Sequence, residues 1–182
     1  MTNRKFITVL IALLSYVACS ASVADSTKIS GWNHFVWGAE VGGAIDLTSN
    51  DMSSANLSAY FGYRNSFFQV LGIGAEVDMM VSNGVRAFPV YAIVRTSFAS
   101  QPKLLFFDMR GGVVFNNINN AQEQNRLYLS PSLGVNLAKG NSFQAYVMVG
   151  YMFNGLKSLY VDDEFHRMRG LHAGCLRLGI SF

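Results

Sequence analysis

From Phe35 onward the chain alternates. Phe35, Trp37, Ala39, Val41, Ile45 and Leu47 share one parity, while Gly38, Glu40, Gly42, Ala44 and Asp46 share the other. A period of two marks a strand with one apolar and one polar face. The pattern recurs along the whole chain and predicts eight strands: His34–Thr48, Ser53–Arg64, Phe67–Ser82, Val85–Phe98, Lys103–Asn116, Asn125–Ala138, Ser142–Asn154 and His166–Phe182. In the third, Leu71, Ile73, Ala75, Val77 and Met79 oppose Gly72, Gly74, Glu76 and Asp78. In the last, Gly174, Leu176, Leu178 and Ile180 oppose Arg169, Ala173, Cys175, Arg177, Gly179 and Ser181.

The breaks between strands are turn clusters. Asn83-Gly84 is a strong two-residue hairpin signal, and Asn65-Ser66 and Lys139-Gly140-Asn141 are tight turns. Connections after the second, fourth and sixth strands are tight, whereas Asn117–Gln124 and Gly155–Phe165 are longer and polar. Pro89 and Pro131 fall inside predicted strands, where a missing donor calls for a bulge or, at Pro89, a different register. Each strand is long enough to cross a bilayer, which takes about 9–11 tilted residues. The predicted fold is all-β: an eight-stranded antiparallel up-and-down transmembrane β-barrel with both termini on one side.

Alternation alone does not say which face looks inward. A soluble barrel of the lipocalin type has the same period with its apolar face inside. Here the polar parity is rich in glycine, serine and alanine, with sparse charges of both signs. A wetted surface carries far more Lys and Glu, and a narrow barrel interior is filled by side chains of this mixture. The apolar parity is therefore expected to face lipid. Phe35, Trp37, Tyr63, Phe67, Phe98, Phe143, Tyr151 and Phe153, near strand ends, are expected to form interfacial girdles. The inward parity holds Glu40, Asp46, Glu76, Asp78 and Asp108 with Arg64, Arg95, Arg110, Arg126, Arg169 and Arg177. An unpaired ion there costs several kcal/mol, and the planar fork of Arg takes carboxylates bidentately. The expectation is an interlocked network that plugs the lumen; a narrow polar pore is the alternative.

Composition agrees with this reading. Of 182 residues, 51% are hydrophobic and 14% charged, with abundant aromatics and glycine but few prolines. The only long apolar run is at the N-terminus. Asn3, Arg4 and Lys5 precede the apolar Phe6–Val17, and Ser22-Val23-Ala24 has the small residues a signal peptidase reads. Residues 1–24 are thus read as a signal peptide and 25–182 as the barrel domain. A cut after Ala21, or a lipoprotein signal on Cys19, fits the pattern less well. Removing Arg4 and Lys5 from the 14 basic residues leaves 12 against 11 acidic ones, so the charge excludes a basic nucleic-acid-binding protein. Cys175 alone remains, so no internal disulfide is expected.

With this strand count, leader and terminal Leu176-x-Leu178-x-Ile180-x-Phe182, the chain resembles the small eight-stranded outer-membrane barrels of Gram-negative bacteria, of the OmpX and OmpA transmembrane-domain type. The resemblance covers the whole mature chain. It implies a place in the outer membrane, contact with its lipids and lipopolysaccharide, and a monomer. It also implies that Leu176, Leu178, Ile180 and Phe182 form the signal read by the barrel assembly machinery. The peptidoglycan-binding domain of the OmpA pattern is not expected to follow. The family's actions range from adhesion and membrane integrity to lipid modification, so the resemblance carries fold and place better than action.

Catalytic signals are sparse. Some barrels of this size resemble lipid A deacylases or acyltransferases with a Ser and His near the interface. Here His34, His166 and His172 are the only histidines, and no His-x-Ser pair occurs. Ser158 and Asp162–Glu164 precede His166, but an acid, base and nucleophile would meet there only by accident of fold. No metal-ligand spacing repeats, and the glycine pairs at 42–43 and 111–112 lie inside strands. The chain is read as a non-enzymatic barrel with a structural or surface-interaction role, its outer loops meeting an extracellular partner. No cofactor or metal is implied. A lipid A-modifying enzyme is the alternative.

Overall fold

The structure, a computed structural model, describes residues 34–48, 52–65, 67–81, 86–98, 104–116, 125–140, 143–155, 159–161, 164–166 and 170–182. The segment read as a signal peptide, the loop 117–124, Ser158, Asp162, Asp163 and Arg169 lie outside them. Eight long strands close into one antiparallel barrel: β1 (Phe35–Asp46), β2 (Ser54–Tyr63), β3 (Phe68–Met80), β4 (Arg86–Ser97), β5 (Leu105–Asn116), β6 (Asn125–Lys139), β7 (Gln144–Asn154) and β10 (Leu171–Ser181). Their order around the wall is β1-β10-β7-β6-β5-β4-β3-β2. The first and last strands form the closing seam, in register from Gly38↔Ser181 to Asp46↔Ala173.

The last barrel strand is shorter than expected. It begins at Leu171, not His166, because His166 belongs to a separate hairpin of β8 (Leu159–Val161) and β9 (Glu164–His166). The connection read as a plain loop therefore contains strands of its own.

The register fixes the tilt of the wall. Paired residues run from His172 through Phe153, Leu129, Gly111, Ala92, Ile73 and Phe61 to Trp37. Trp37 exchanges backbone hydrogen bonds with Phe182, so one circuit returns to the same strand ten residues farther along. In an eight-stranded barrel that stagger corresponds to a tilt of about 40°. A ten-residue strand such as β2 then climbs about 25 Å along the axis, the height of the apolar band of a membrane barrel.

The apolar parity is outside. Val41 is 58% exposed, Ile73 67% and Val149 62%, whereas Glu40 is 2% exposed and Arg110 0%. In water this wall would be an apolar patch far larger than a soluble monomer shows; in hydrocarbon it is satisfied. All eight expected girdle residues lie on this outer face, distributed unevenly. Phe35, Trp37, Tyr63, Phe67, Phe98 and Phe143 ring the end at which β1 begins and β10 ends, where Phe35 stacks on Phe61 and His34 on Tyr63. Tyr151 and Phe153 lie toward the other end.

The prolines do not produce the bulges expected of them. Pro89 pairs with Val114 on β5, and on the β3 side Ala75↔Val90 and Asp78↔Ala87 keep one register across it. Pro131 is likewise spanned by Leu129↔Phe153 and Ser132↔Gly150. Proline removes a donor without adding a residue, so the ladder is interrupted and not shifted. The shifts occur instead between Phe68 and Val70 and between Asn136 and Ala138, beside turns at the terminus-bearing rim. Bulges favour such rims. One consequence is that Gln69 and Val70, though adjacent, are both buried.

Candidate functional site: the charged lumen

The lumen is narrow, and its large side chains fit because small ones face them. Tyr60 lies across Gly38, Tyr91 across Gly74, Phe106 across Gly134 and Tyr146 across Gly179. A Cβ on Gly38 would stand 2.5 Å from the Tyr60 ring, and one on Gly74 2.6 Å from that of Tyr91. Glycine on one strand is thus the seat for an aromatic ring on the next. The rings in turn face guanidinium groups. Arg95 lies 4.3 Å from the Tyr146 centroid and 4.8 Å from that of Phe106, and Arg110 lies 5.1 Å from that of Tyr91. These are cation–π distances.

At the centre is a closed cycle of alternating charge. Glu40 on β1 accepts hydrogen bonds from Arg95 at 3.0 Å and Arg110 at 2.7 Å. Asp108 on β5 accepts one from the Nε of each arginine, both at 2.8 Å. Tyr146 and Ser58 donate to Glu40 at 2.6 and 2.9 Å. Tyr60 accepts from Arg95 at 3.2 Å and lies 3.0 Å from the Tyr146 hydroxyl. Two charges taken out of water are tolerated only when geometry and extra hydrogen bonds satisfy them. Both conditions hold here, with four hydrogen bonds converging on the Glu40 carboxylate.

A second cluster lies toward the far end of the barrel, away from where β1 begins and β10 ends. Arg177 on β10 donates to Glu76 on β3 at 3.1 Å, and Tyr128 donates to Glu76 at 3.2 Å. Arg177 also donates to Ser130 at 3.1 Å and to the Cys175 sulfur at 3.2 Å. Arg110, 3.7 Å from Glu76, joins the two clusters. Asp78 faces the same space but differs: its carboxylate is buried and neither oxygen has a hydrogen-bond partner.

The structure therefore brings together Glu40, Glu76, Asp108, Arg95, Arg110 and Arg177, with Asp78 beside them. It leaves three others at the ends. Arg64 is half-buried, its Nε donating to the Gln69 carbonyl at 3.4 Å. Asp46 lies at the far rim, where β1 ends, and accepts from the Thr48 amide at 2.7 Å. Arg126 is half-buried near that rim. Arg169 lies outside the described residues. Tyr60, Tyr91, Tyr128, Tyr146, Ser58 and Ser130 belong to the network although charge alone does not nominate them. The signal that finds them is their parity, shared with the ionic residues of their strands.

The remaining candidates lie on or near the wall. His34 stacks on Tyr63, and His172 bonds the Tyr151 hydroxyl through Nδ1 with Phe153 edge-on beside it. Leu176, Leu178 and Ile180 face outward, and Phe182 stacks on Trp37 at 4.5 Å. Among the described residues no group of three His, Cys, Asp or Glu is placed to hold a metal ion.

No family profile matches this chain, and no curated protein does. Solved structures do. The crystal structure of Neisserial surface protein A matches with a TM-score of 0.59 at 14% identity, over 84% of this chain and 98% of that one. The N-terminal β-barrel domain of Pseudomonas aeruginosa OprF matches with a TM-score of 0.50 at 12% identity, over 81% of this chain and 97% of that one. At such identities the likeness is one of fold. With its apolar wall, ionic interior and ten-residue stagger, the chain is a closed eight-stranded membrane β-barrel of the outer-membrane type.

Proposed function

We propose that this chain is an outer-membrane scaffold: a wall anchored in lipid and lipopolysaccharide, a lumen closed by side chains, and connections at the outer mouth that meet an extracellular partner. The observation that carries this reading is the Glu40–Arg95–Asp108–Arg110 cycle. It spans the lumen at mid-height, and each of its members is at most 2% exposed. Opening a path through it means separating charge pairs in a low-dielectric interior, where breaking one costs about 3–5 kcal/mol. The fold shared with a protein named as a Neisserial surface protein supports the same setting.

Planar-bilayer recording of the purified full chain tests the plug. A silent membrane is the expected result; stable open steps overturn it in favour of a narrow pore. In the same reading Leu176, Leu178, Ile180 and Phe182 are the strand presented to the assembly machinery, and the barrel is a monomer without catalytic activity. Mass spectrometry of lipid A from cells with and without the gene tests the last point. An unchanged acyl pattern is expected, and a changed one favours a lipid-modifying enzyme.

A further inference from the structure

The outer wall is not electrically uniform. The carboxylates of the barrel strands, those of Glu40, Asp46, Glu76, Asp78 and Asp108, all share the inward parity. So do Arg95, Arg110, Arg126 and Arg177. Arg86 does not. It opens β4 at the far end, is exposed, and shares its parity with the outward Phe88 and Val90. Among the described side chains of the barrel strands it is the one Arg, Lys, Asp or Glu that faces outward. No carboxylate of the described residues lies within ion-pair distance of it. Its cross-strand partner is Met79, and Phe88, two residues along, pairs with Phe115. Met79, Phe88 and Phe115 all face outward. The guanidinium thus stands among apolar side chains with no counter-ion on its own wall.

The register fixes its height. Pairing steps lead from Arg86 to Met79, Ala55 and Gly43, in the direction in which the circuit descends toward Phe182. At a tilt of about 40° each step falls about 3 Å along the axis. Gly43 stands two residues above Val41 on β1, a further 5 Å or about that. Arg86 therefore lies about 15 Å above Val41, the half-thickness of a hydrocarbon core of about 30 Å. A charge on the lipid face is costly at mid-depth and cheap at this level, which is the level of lipid phosphates. A guanidinium takes a phosphate bidentately. At the opposite end the outward ring is aromatic, from Phe35 to Phe143, so the cationic group marks one leaflet and not both.

We propose that Arg86 binds a phosphate of lipid A at the far interface, with Met79, Phe88 and Phe115 packing against the acyl chains beneath it. The choice of lipid A among phosphorylated lipids rests on the reading of the far end as the outer mouth, where the surrounding leaflet is lipopolysaccharide. The closure of the lumen plays no part in it.

The test uses the full chain refolded in detergent micelles, with lipid A added from mixed micelles and binding read by native mass spectrometry. A one-to-one adduct is expected. Arg86→Gln is expected to weaken it about tenfold, as is dephosphorylation of the lipid. Arg86→Lys keeps the charge and loses the fork, so an intermediate affinity is expected. Combining Arg86→Gln with Leu47→Arg returns a cation at about the same height on the far end of β1, and is expected not to restore binding. Restoration, or equal affinity of the wild type for lipid A and its dephosphorylated form, overturns the site and leaves Arg86 a snorkelling charge. Phosphatidylglycerol binding as tightly as lipid A overturns the choice of lipid. Should Arg86→Gln not refold, the wild-type comparison of the two lipid A forms decides alone. Labelling of Asn120→Cys in intact cells by a membrane-impermeant maleimide checks orientation separately, against the wild type with its buried Cys175. Labelling is expected; its absence overturns the reading of the far end as the outer mouth, and lipid A as the ligand with it.

Discussion

Glu40 and Arg110 meet at 2.7 Å although β1 and β5 stand on opposite sides of the barrel, four strands apart in either direction. The pair is a strut across the lumen, and Arg95 and Asp108 make it a cycle. Its stabilising worth is conditional. An intact buried pair stabilises little over an apolar filling, but a broken one is strongly destabilising. Glu40→Ala leaves two guanidinium groups sharing one carboxylate. The expected loss is about 3–5 kcal/mol, read as a lower urea midpoint of the refolded chain, with intermittent conductance steps in planar bilayers. A midpoint equal to that of the wild type would show that the cycle bears no load.

The glycine seats make a sharper test, because a single methyl group is added. Gly74 lies under the Tyr91 ring, which is held on its other sides by Arg110 and by Tyr128 at 5.7 Å. Gly74→Ala is expected to cost about 1–3 kcal/mol through overpacking. Most of that cost should vanish in a Tyr91→Ser background, as a double-mutant cycle measures directly. Gly174 is the control: it faces outward, and a Cβ there meets nothing within 4 Å. Gly174→Ala is expected to be neutral or stabilising by about 0.4–1 kcal/mol.

Depth along the outer wall can be read with a charge. Val41 lies midway along β1 and faces outward, whereas Leu47 follows the end of that strand. In lipid vesicles Val41→Arg is expected to destabilise by about 2–4 kcal/mol and Leu47→Arg by about 0–1 kcal/mol. Urea titration of folded chains in vesicles gives both numbers. Equal costs at the two positions would contradict a bilayer centred on Val41.

The terminal residue is also structural. Phe182 stacks on Trp37 with rings 17° from parallel, and the two residues exchange backbone hydrogen bonds across the seam. Trp37→Ala is expected to cost about 0.5–1.5 kcal/mol beyond lost burial. It is also expected to slow the shift from unfolded to folded mobility on a heat-modifiability gel. Phe61→Ala, on the same wall but away from the seam, is the comparison; equal slowing by both would assign the effect to general loss of aromatic area.

How much of this was legible beforehand differs from residue to residue. The strand faces were: Val41 outward and Glu40 inward follow from parity, since a slip by one residue would invert a whole strand. The effect of Pro89 was not. A sequence shows that a donor is missing, but only the neighbouring ladders show that the register survives its loss. Gln69 was equally hidden, because a bulge is a property of two strands. Nor could the strand reading separate His166 from β10, since its alternation runs on unbroken into a hairpin that pairs with itself.

The order of residues by itself determined the number of barrel strands, the face side chains take away from the bulges and the solvent each face requires, because these depend on a period of two and on transfer free energies that act locally. The tertiary structure alone decided which opposite charges meet and which glycine seats which ring. Those outcomes depend on stagger. The ten-residue offset around the wall sets the relative heights of β1, β3, β5 and β10, and no single strand carries that information.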